Sequence, residues 1–457
     1  METRNPSPPP GFDSTVEEDD HIGNSAYSKR WLYSLILQVL TKLSQIGEIF
    51  DDIDEELDSL LEDDLCKLWD ITSDQSLLEP LRQFQLVPVF TECIHKSKNH
   101  RLIEISLGIL ANISLDDEQC GVISEDPTFM ANALGLLSTD DTRILIELFR
   151  LLRSVLASRP HRQVWLDAVH FAPEFIERVN FILVSSTNAH LLMSTINALE
   201  TILRIDDSIG ELWCNTNLLG SLQDAQHQMC WIHGDEVEII YRIIYIFSTN
   251  STGVRTLMSR VEDVFPNFGV LLRKICEDEP HLIPFYQYNS ALRLILPVID
   301  VIITNLSAKE ALASFHFDKD TLPCLLQIIL GCIQQNFVSG EITLDGLWED
   351  LSGLFSDLIQ RVHEYLQESP TSSELLQYSN DVLHCLTEIE EGNDEMRNAF
   401  VRCCLYRRVQ VMTEREGEVS YNSNSSTVVE VLRGQLVFVC QRLHLSRLLE
   451  CSTTNHN

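Results

Sequence analysis

The side chains best equipped for chemistry fall into a few short clusters. HQMCWIH sets His227, Cys230 and His233 at three-residue steps. On a helix these share a face, and imidazole with thiolate suits zinc. Gly234 follows the last histidine and no fourth ligand is near, so an ordinary helix turn is expected. Cys403 and Cys404 are adjacent and would point apart on a helix, as two buried thiols. His363-Glu364 opens a zincin-like pattern, but Gln367 stands where the second histidine belongs. Neither a Gly-rich phosphate cradle nor a Gly-x-Ser-x-Gly elbow occurs. The sequence therefore predicts no catalytic residue, no metal site, no cofactor and no enzymatic activity.

What remains for function is binding. In the stretch Ile144 to Leu156, apolar residues occupy 144, 145, 148, 149, 151, 152, 155 and 156. Only a narrow polar ridge through Arg143, Glu147, Arg150 and Ser154 is left, and a helix of this kind is packed on more than one side. Ridges on the neighbouring helical stretches carry Asn112 and Glu200. Asn112, Glu147, Arg150 and Glu200 are thus the candidate protein-binding residues. Asn112 offers a donor and an acceptor to an extended backbone, and the carboxylates suit a partner with basic segments. If the ridge is open to solvent, reversing Glu147 and Glu200 to lysine should leave the melting temperature nearly unchanged.

The elements that must position these residues are helices. Long apolar helical patterns occupy 101–113, 144–156, 191–205, 238–247 and 374–389, each closed by a short polar turn. Their last apolar residues, Leu115, Leu156, Ile205, Phe247 and Ile389, are 41, 49, 42 and 142 residues apart. Armadillo and HEAT repeats recur at about 40–47 residues. The expected fold is an all-α armadillo/HEAT-like solenoid. Asn99, Asp140 and Ser186 are expected as N-caps, and Pro127, Pro160, Pro173, Pro266, Pro280 and Pro323 as helix starts.

Residues 1–21 read as a disordered Pro- and acid-rich tail. Residues 22–76 read as capping helices, with a stripe of Trp31, Leu32, Leu35, Ile36 and Val39. They include an acidic amphipathic helix built on Ile53, Leu57, Leu60, Leu61, Leu65 and Leu68. Repeats should fill 77–410, a loop 411–427, a helix 428–450 and a tail 451–457. The 68 acids against 33 basic residues give a net charge of −35, which argues against direct nucleic-acid binding. No apolar run is long enough for a membrane span. Thirteen scattered cysteines without a Cys-x-x-Cys pair suggest reduced thiols rather than a secreted framework.

Several segments resemble the serum amyloid A-like (SAAL) family, which is armadillo-type. They are RNPSPPP (4–10), IGNSAYSKRWL (22–32), LCKLWDI (65–71), KSKNHRLIEISLGILANIS (96–114) and SSTNAHLL (185–192). The match is strong over about residues 1–210 and fades in the C-terminal half, which looks lineage-specific. The resemblance implies a nuclear or nucleocytoplasmic protein linked to cell proliferation, without enzymatic activity, and supplies no catalytic residues. Separately, Gly108–Ile113 resembles the groove helix of armadillo repeats. In nuclear import adaptors that Asn recurs with Trp four residues earlier. Here Gly108 takes the Trp place, and Ile202 and Arg153 fall near the Asn place in the next repeats, so the ladder is missing. The leading expectation is a scaffold for protein partners; the alternative is a nucleotide exchange factor for a chaperone or G protein.

Overall fold

A computed structural model describes residues 20–44, 57–172, 174–229, 235–278, 289–329 and 347–367, with Gln377 and Asp381. Expectations for residues 1–19, the loop 411–427, the helix 428–450, the tail 451–457, Cys403-Cys404, Cys230 and His233 lie outside these residues, as do Pro173, Pro280, Ile53 and most of 374–389. Among the described residues the chain is helical, with one isolated β-bridge between His21 and Ser28.

Two helices come first, α1 (Lys29–Ser44) and α2 (Ser59–Thr72). Triplets follow: α3 (Gln75–Leu81), α4 (Leu86–Lys96) and α5 (His100–Ile113), then α6 (Asp117–Ser124), α7 (Pro127–Gly135) and α8 (Thr142–Ala157). The next are α9 (Arg162–Phe171), α10 (Phe175–Ser185) and α11 (Ala189–Ile205), then α12 (Asp207–Trp213), α13 (Thr216–Met229) and α14 (Asp235–Ser248). Last come α15 (Ser251–Ser259), α16 (Val261–Asp278) and α17 (Asn289–Asn305), then α18 (Ala308–Ser314), helical residues 321–329 and α19 (Leu347–Gln367). This is an all-α armadillo-type solenoid. Helix α3 runs across the expected boundary between residues 76 and 77.

The chain divides into two compact units, residues 1–213 with 220–230, and 214–219 with 231–457. In the first, the third helices α2, α5, α8 and α11 pack side by side in chain order. In the second, α14, α17 and α19 do the same. Burial explains why. Every residue of α5 from Leu102 to Ile113 is buried, and α8 buries Ile144, Leu145, Leu148, Phe149, Leu151, Leu152, Val155 and Leu156. Each such aliphatic or aromatic side chain contributes about 1.5–3 kcal/mol when removed from water. A lone helix cannot cover an apolar surface of that width, so neighbours on both sides must.

The repeat is also written in polar links. In the first unit Gln119 Nε2 donates to the Leu78 carbonyl at 3.2 Å, and His100 Nδ1 lies 3.1 Å from Asp141 Oδ2. Ser158 Oγ donates to Asp117 at 2.7 Å and Trp165 Nε1 to Ser124 Oγ at 3.0 Å. All four pairs are 41 residues apart. In the second unit, Thr256 with Cys214 spans 42 and Arg273 with Asp318 spans 45.

Helix boundaries correct several expectations. Asn99 caps α5 as expected, but Asp141 rather than Asp140 caps α8, accepting from the Arg143 and Ile144 amides. Asn188 caps α11, and Ser186 instead closes α10. Pro127 opens α7, whereas Pro266 sits inside α16. There the buried Val264, Phe265, Phe268, Leu271, Leu272 and Ile275 hold the helix across the missing amide. In α2 the stripe is Leu61, Leu65, Leu68 and Ile71; Leu60 is exposed because Asp58 caps the helix and sets its phase.

Candidate functional site

The ridge predicted from α5, α8 and α11 is a network. Asn112 Nδ2 donates to the Trp69 carbonyl and to Thr72 Oγ1, each at 3.1 Å, and Asn112 Oδ1 accepts from Arg150 Nη1 at 2.6 Å. Arg150 Nη2 donates to the Gly108 carbonyl at 2.9 Å, and its Nε to Glu147 Oε2 at 2.6 Å. The guanidinium carbon stands 5.7 Å from the centre of the Trp69 ring, within cation–π range. A Cβ at residue 108 would lie 2.2 Å from Trp69 Cε2. Glycine is therefore required there: the indole, arriving from α2, occupies the space a side chain on α5 would fill.

This places three of the four candidate residues in one cluster. Asn112, Glu147 and Arg150 tie α2, α5 and α8 together, while Glu200 lies on the next helix and pairs with Arg204 at 3.1 Å. The expectation that the ridge is open to solvent fails at Asn112, which is 5% exposed. Its donors and acceptor are engaged by the chain itself.

The carboxylates also lie low. Glu104 is bridged by Arg101 at 2.9 Å with Arg143 at 3.7 Å, and Arg101 reaches on to Glu62 at 2.7 Å. The side chains of Glu104, Glu147 and Glu200 are 9%, 12% and 12% exposed, against 59%, 36% and 59% for Arg143, Arg150 and Arg204. Arginines form the outer layer. Burial raises the Glu147 carboxyl above its usual range despite Arg150, with nearby Glu104 adding to the rise. Hydrogen bonds to Glu104 and Glu62 raise Arg101 against the opposing effect of its burial.

The N-caps give the register of successive third helices. Nine residues beyond Asn99, Asp141 and Asn188 stand Gly108, Arg150 and Asn197; thirteen beyond stand Asn112, Ser154 and Thr201. The positions equivalent to Asn112 are thus Ser154 and Thr201, each next to the Arg153 and Ile202 expected from sequence. Sequence reasoning missed Trp69, Thr72, Glu104, Arg101 and Arg204. The one available signal was Gly108 itself, a glycine inside an otherwise strong helix.

Among the described residues no group of three or more His, Cys, Asp or Glu could hold a metal ion, and no helix is long and apolar enough to cross a membrane.

Comparison with known proteins extends the fold to a lineage. The crystal structure of Uso1-1 superposes with a TM-score of 0.52 over 87% of this chain and 68% of that one, at 11% identity, which shows a shared fold alone. Protein saal1 of Danio rerio is 30% identical over 346 residues, 71% of this chain and 72% of its own. Protein SAAL1 of Homo sapiens is 25% identical over 358 residues, 71% of this chain and 76% of its own. The model of the SAAL1 C-terminal domain matches residues 175–432, so the C-terminal half is not the lineage-specific part that its sequence suggested. The chain belongs to the SAAL1 family.

Proposed function

We propose that this chain is a non-catalytic scaffold that binds an extended segment of a partner protein along the ridge of α5, α8 and α11. One observation carries the reading. These helices are buried nearly all round, and Arg143, Arg150 and Arg204 remain partly or largely exposed along them. Arg143 and Arg150 lie on α8 and Arg204 on α11, and a stack of helices that leaves such an accessible polar line is suited to an extended chain laid over it. Asn112 and Glu147 belong to the base of that line and hold it rigid.

The family resemblance adds a setting, in which the scaffold works in the nucleus or in nucleocytoplasmic traffic and supports cell proliferation. The test is affinity purification from cells followed by mass spectrometry. The wild type is compared with a folded variant bearing Arg143→Gln and Arg204→Gln, and selective loss of partners from the variant is expected. Retention of every partner would move the binding face elsewhere. An exchange factor would instead accelerate nucleotide release from its target, and a passive scaffold leaves that rate unchanged.

A further inference from the structure

We infer that the segment bound along this ridge is acidic: an extended peptide of a partner protein with carboxylates at about every third residue. The inference rests on the ridge being the binding face, and it reverses the basic partner that the sequence suggested. Glu104, Glu147 and Glu200 already pair with Arg101, Arg150 and Arg204, so little of each carboxylate is left for an incoming lysine. The cations are the accessible members of these pairs. Arg143 lies 3.7 Å from both Glu104 and Asp141, beyond hydrogen-bond reach. Arg204 commits its Nε to Glu200, and Arg153 on α8 is exposed. A guanidinium has five N–H donors in a planar fork that matches a carboxylate, so one shallow ion pair leaves donors for a second acceptor.

Geometry sets the spacing. Packed helices are about 8–10 Å apart, and an extended chain advances about 3.3–3.6 Å per residue. Counted from the N-caps, Arg143, Arg150 and Arg153 stand two, nine and twelve residues along α8 and Arg204 sixteen along α11. At a rise of about 1.5 Å per residue, a segment that runs along α8 and steps onto α11 meets a guanidinium at roughly every third residue. Trp69, half-buried beside Arg150, adds an aromatic surface on the flank of the line. The net charge of −35 opposes acidic ligands at long range, but the Debye length at physiological salt is about 8 Å. Guanidinium contacts at hydrogen-bond distance act well inside that range. The acidic background then penalises any acidic segment whose carboxylates do not fall on the arginines, which supplies specificity.

The test is fluorescence anisotropy with the full chain and three labelled peptides: one with Glu at every third position among Ser and Ala, its Gln counterpart and its Lys counterpart. The Glu peptide should bind, and Arg153→Glu with Arg204→Glu should weaken it about tenfold or more while circular dichroism and Tm confirm folding. Where that pair disturbs folding, Arg153→Gln with Arg204→Gln should still weaken binding. Equal affinity for Glu and Gln peptides, or undiminished binding by the folded variant, overturns the inference. A Lys peptide that binds more tightly, and loses affinity on Glu147→Gln with Glu200→Gln, also overturns it but keeps the ridge as the binding face. Glu-peptide binding that emerges only after residues 1–19 are deleted would make the chain's own acidic tail the occupant and overturn the partner assignment.

Discussion

Gly108 and Trp69 define the residue scale. A methyl group at 108 would collide with the indole 2.2 Å away, and the ring is wedged between helices. Gly108→Ala should therefore cost about 1–3 kcal/mol, read from the urea midpoint at unchanged slope. Gly135, whose added Cβ would meet nothing within 4 Å, is the control: Gly135→Ala should be neutral or slightly stabilising. Trp69→Leu should relieve most of the Gly108→Ala penalty if the collision is its cause. Glu147 makes a second prediction. Burial raises its folded carboxyl above the ordinary 4.5, so folding favours the protonated form. Its contribution to stability is full below about pH 4.5 and declines as pH rises through the folded value. Glu147→Gln, neutral throughout, should remove that part of the decline when Tm is followed from pH 4 to 7. The same burial revises the charge reversal suggested by sequence: a lysine at 147 would face Arg150, and one at 200 would face Arg204, from nearly buried sites, so Glu147→Lys and Glu200→Lys should each lower Tm measurably.

At the scale of elements, the sequence reveals helices well and their partners poorly. Period and burial are local properties, so α5, α8, α11 and α14 are legible from apolar spacing alone. N-caps are finer: Asp140 and Asp141 are adjacent, and only the amides they face distinguish them. Asp141 accepts from the Arg143 and Ile144 amides and lies beside His100. Asp141→Ala should cost about 0.5–2 kcal/mol, and Asp140→Ala should do little. The Asp141 carboxyl titrates below its ordinary value, because backbone hydrogen bonds and nearby Arg143 and His100 outweigh its burial. Its contribution is therefore present at neutral pH and lost as pH falls through the folded value. A Tm difference between wild type and Asp141→Ala that persists undiminished at pH 2 would sink this account. The Trp69–Gly108 wedge was out of reach for a different reason. It joins residues 39 positions apart on two helices, and no local pattern states which turn of one meets which turn of the other. The ridge was legible as a polar line, but its layering, with carboxylates beneath and guanidiniums above, depends on rotamers that only packing decides.

At the scale of the whole molecule, 68 acidic residues against 33 basic ones set two responses to salt with opposite signs. Exposed ion pairs are worth about 0–1 kcal/mol each, so screening them removes little stability. The unbalanced charge of −35 repels itself, and screening that repulsion favours the compact state. Tm should therefore rise as sodium chloride increases from 10 mM to 1 M, over which the Debye length falls from about 30 to about 3 Å. Binding at the arginine ridge should move the other way, since contacts between exposed guanidiniums and carboxylates weaken with salt. The Glu-peptide affinity should fall at high salt while Tm climbs, and both can be followed in one buffer series. A Tm that drops steadily with salt would mean that attractive networks such as Arg101–Glu104–Arg143 outweigh the net repulsion. The acidity of the chain would then serve partner choice alone, with no cost in stability.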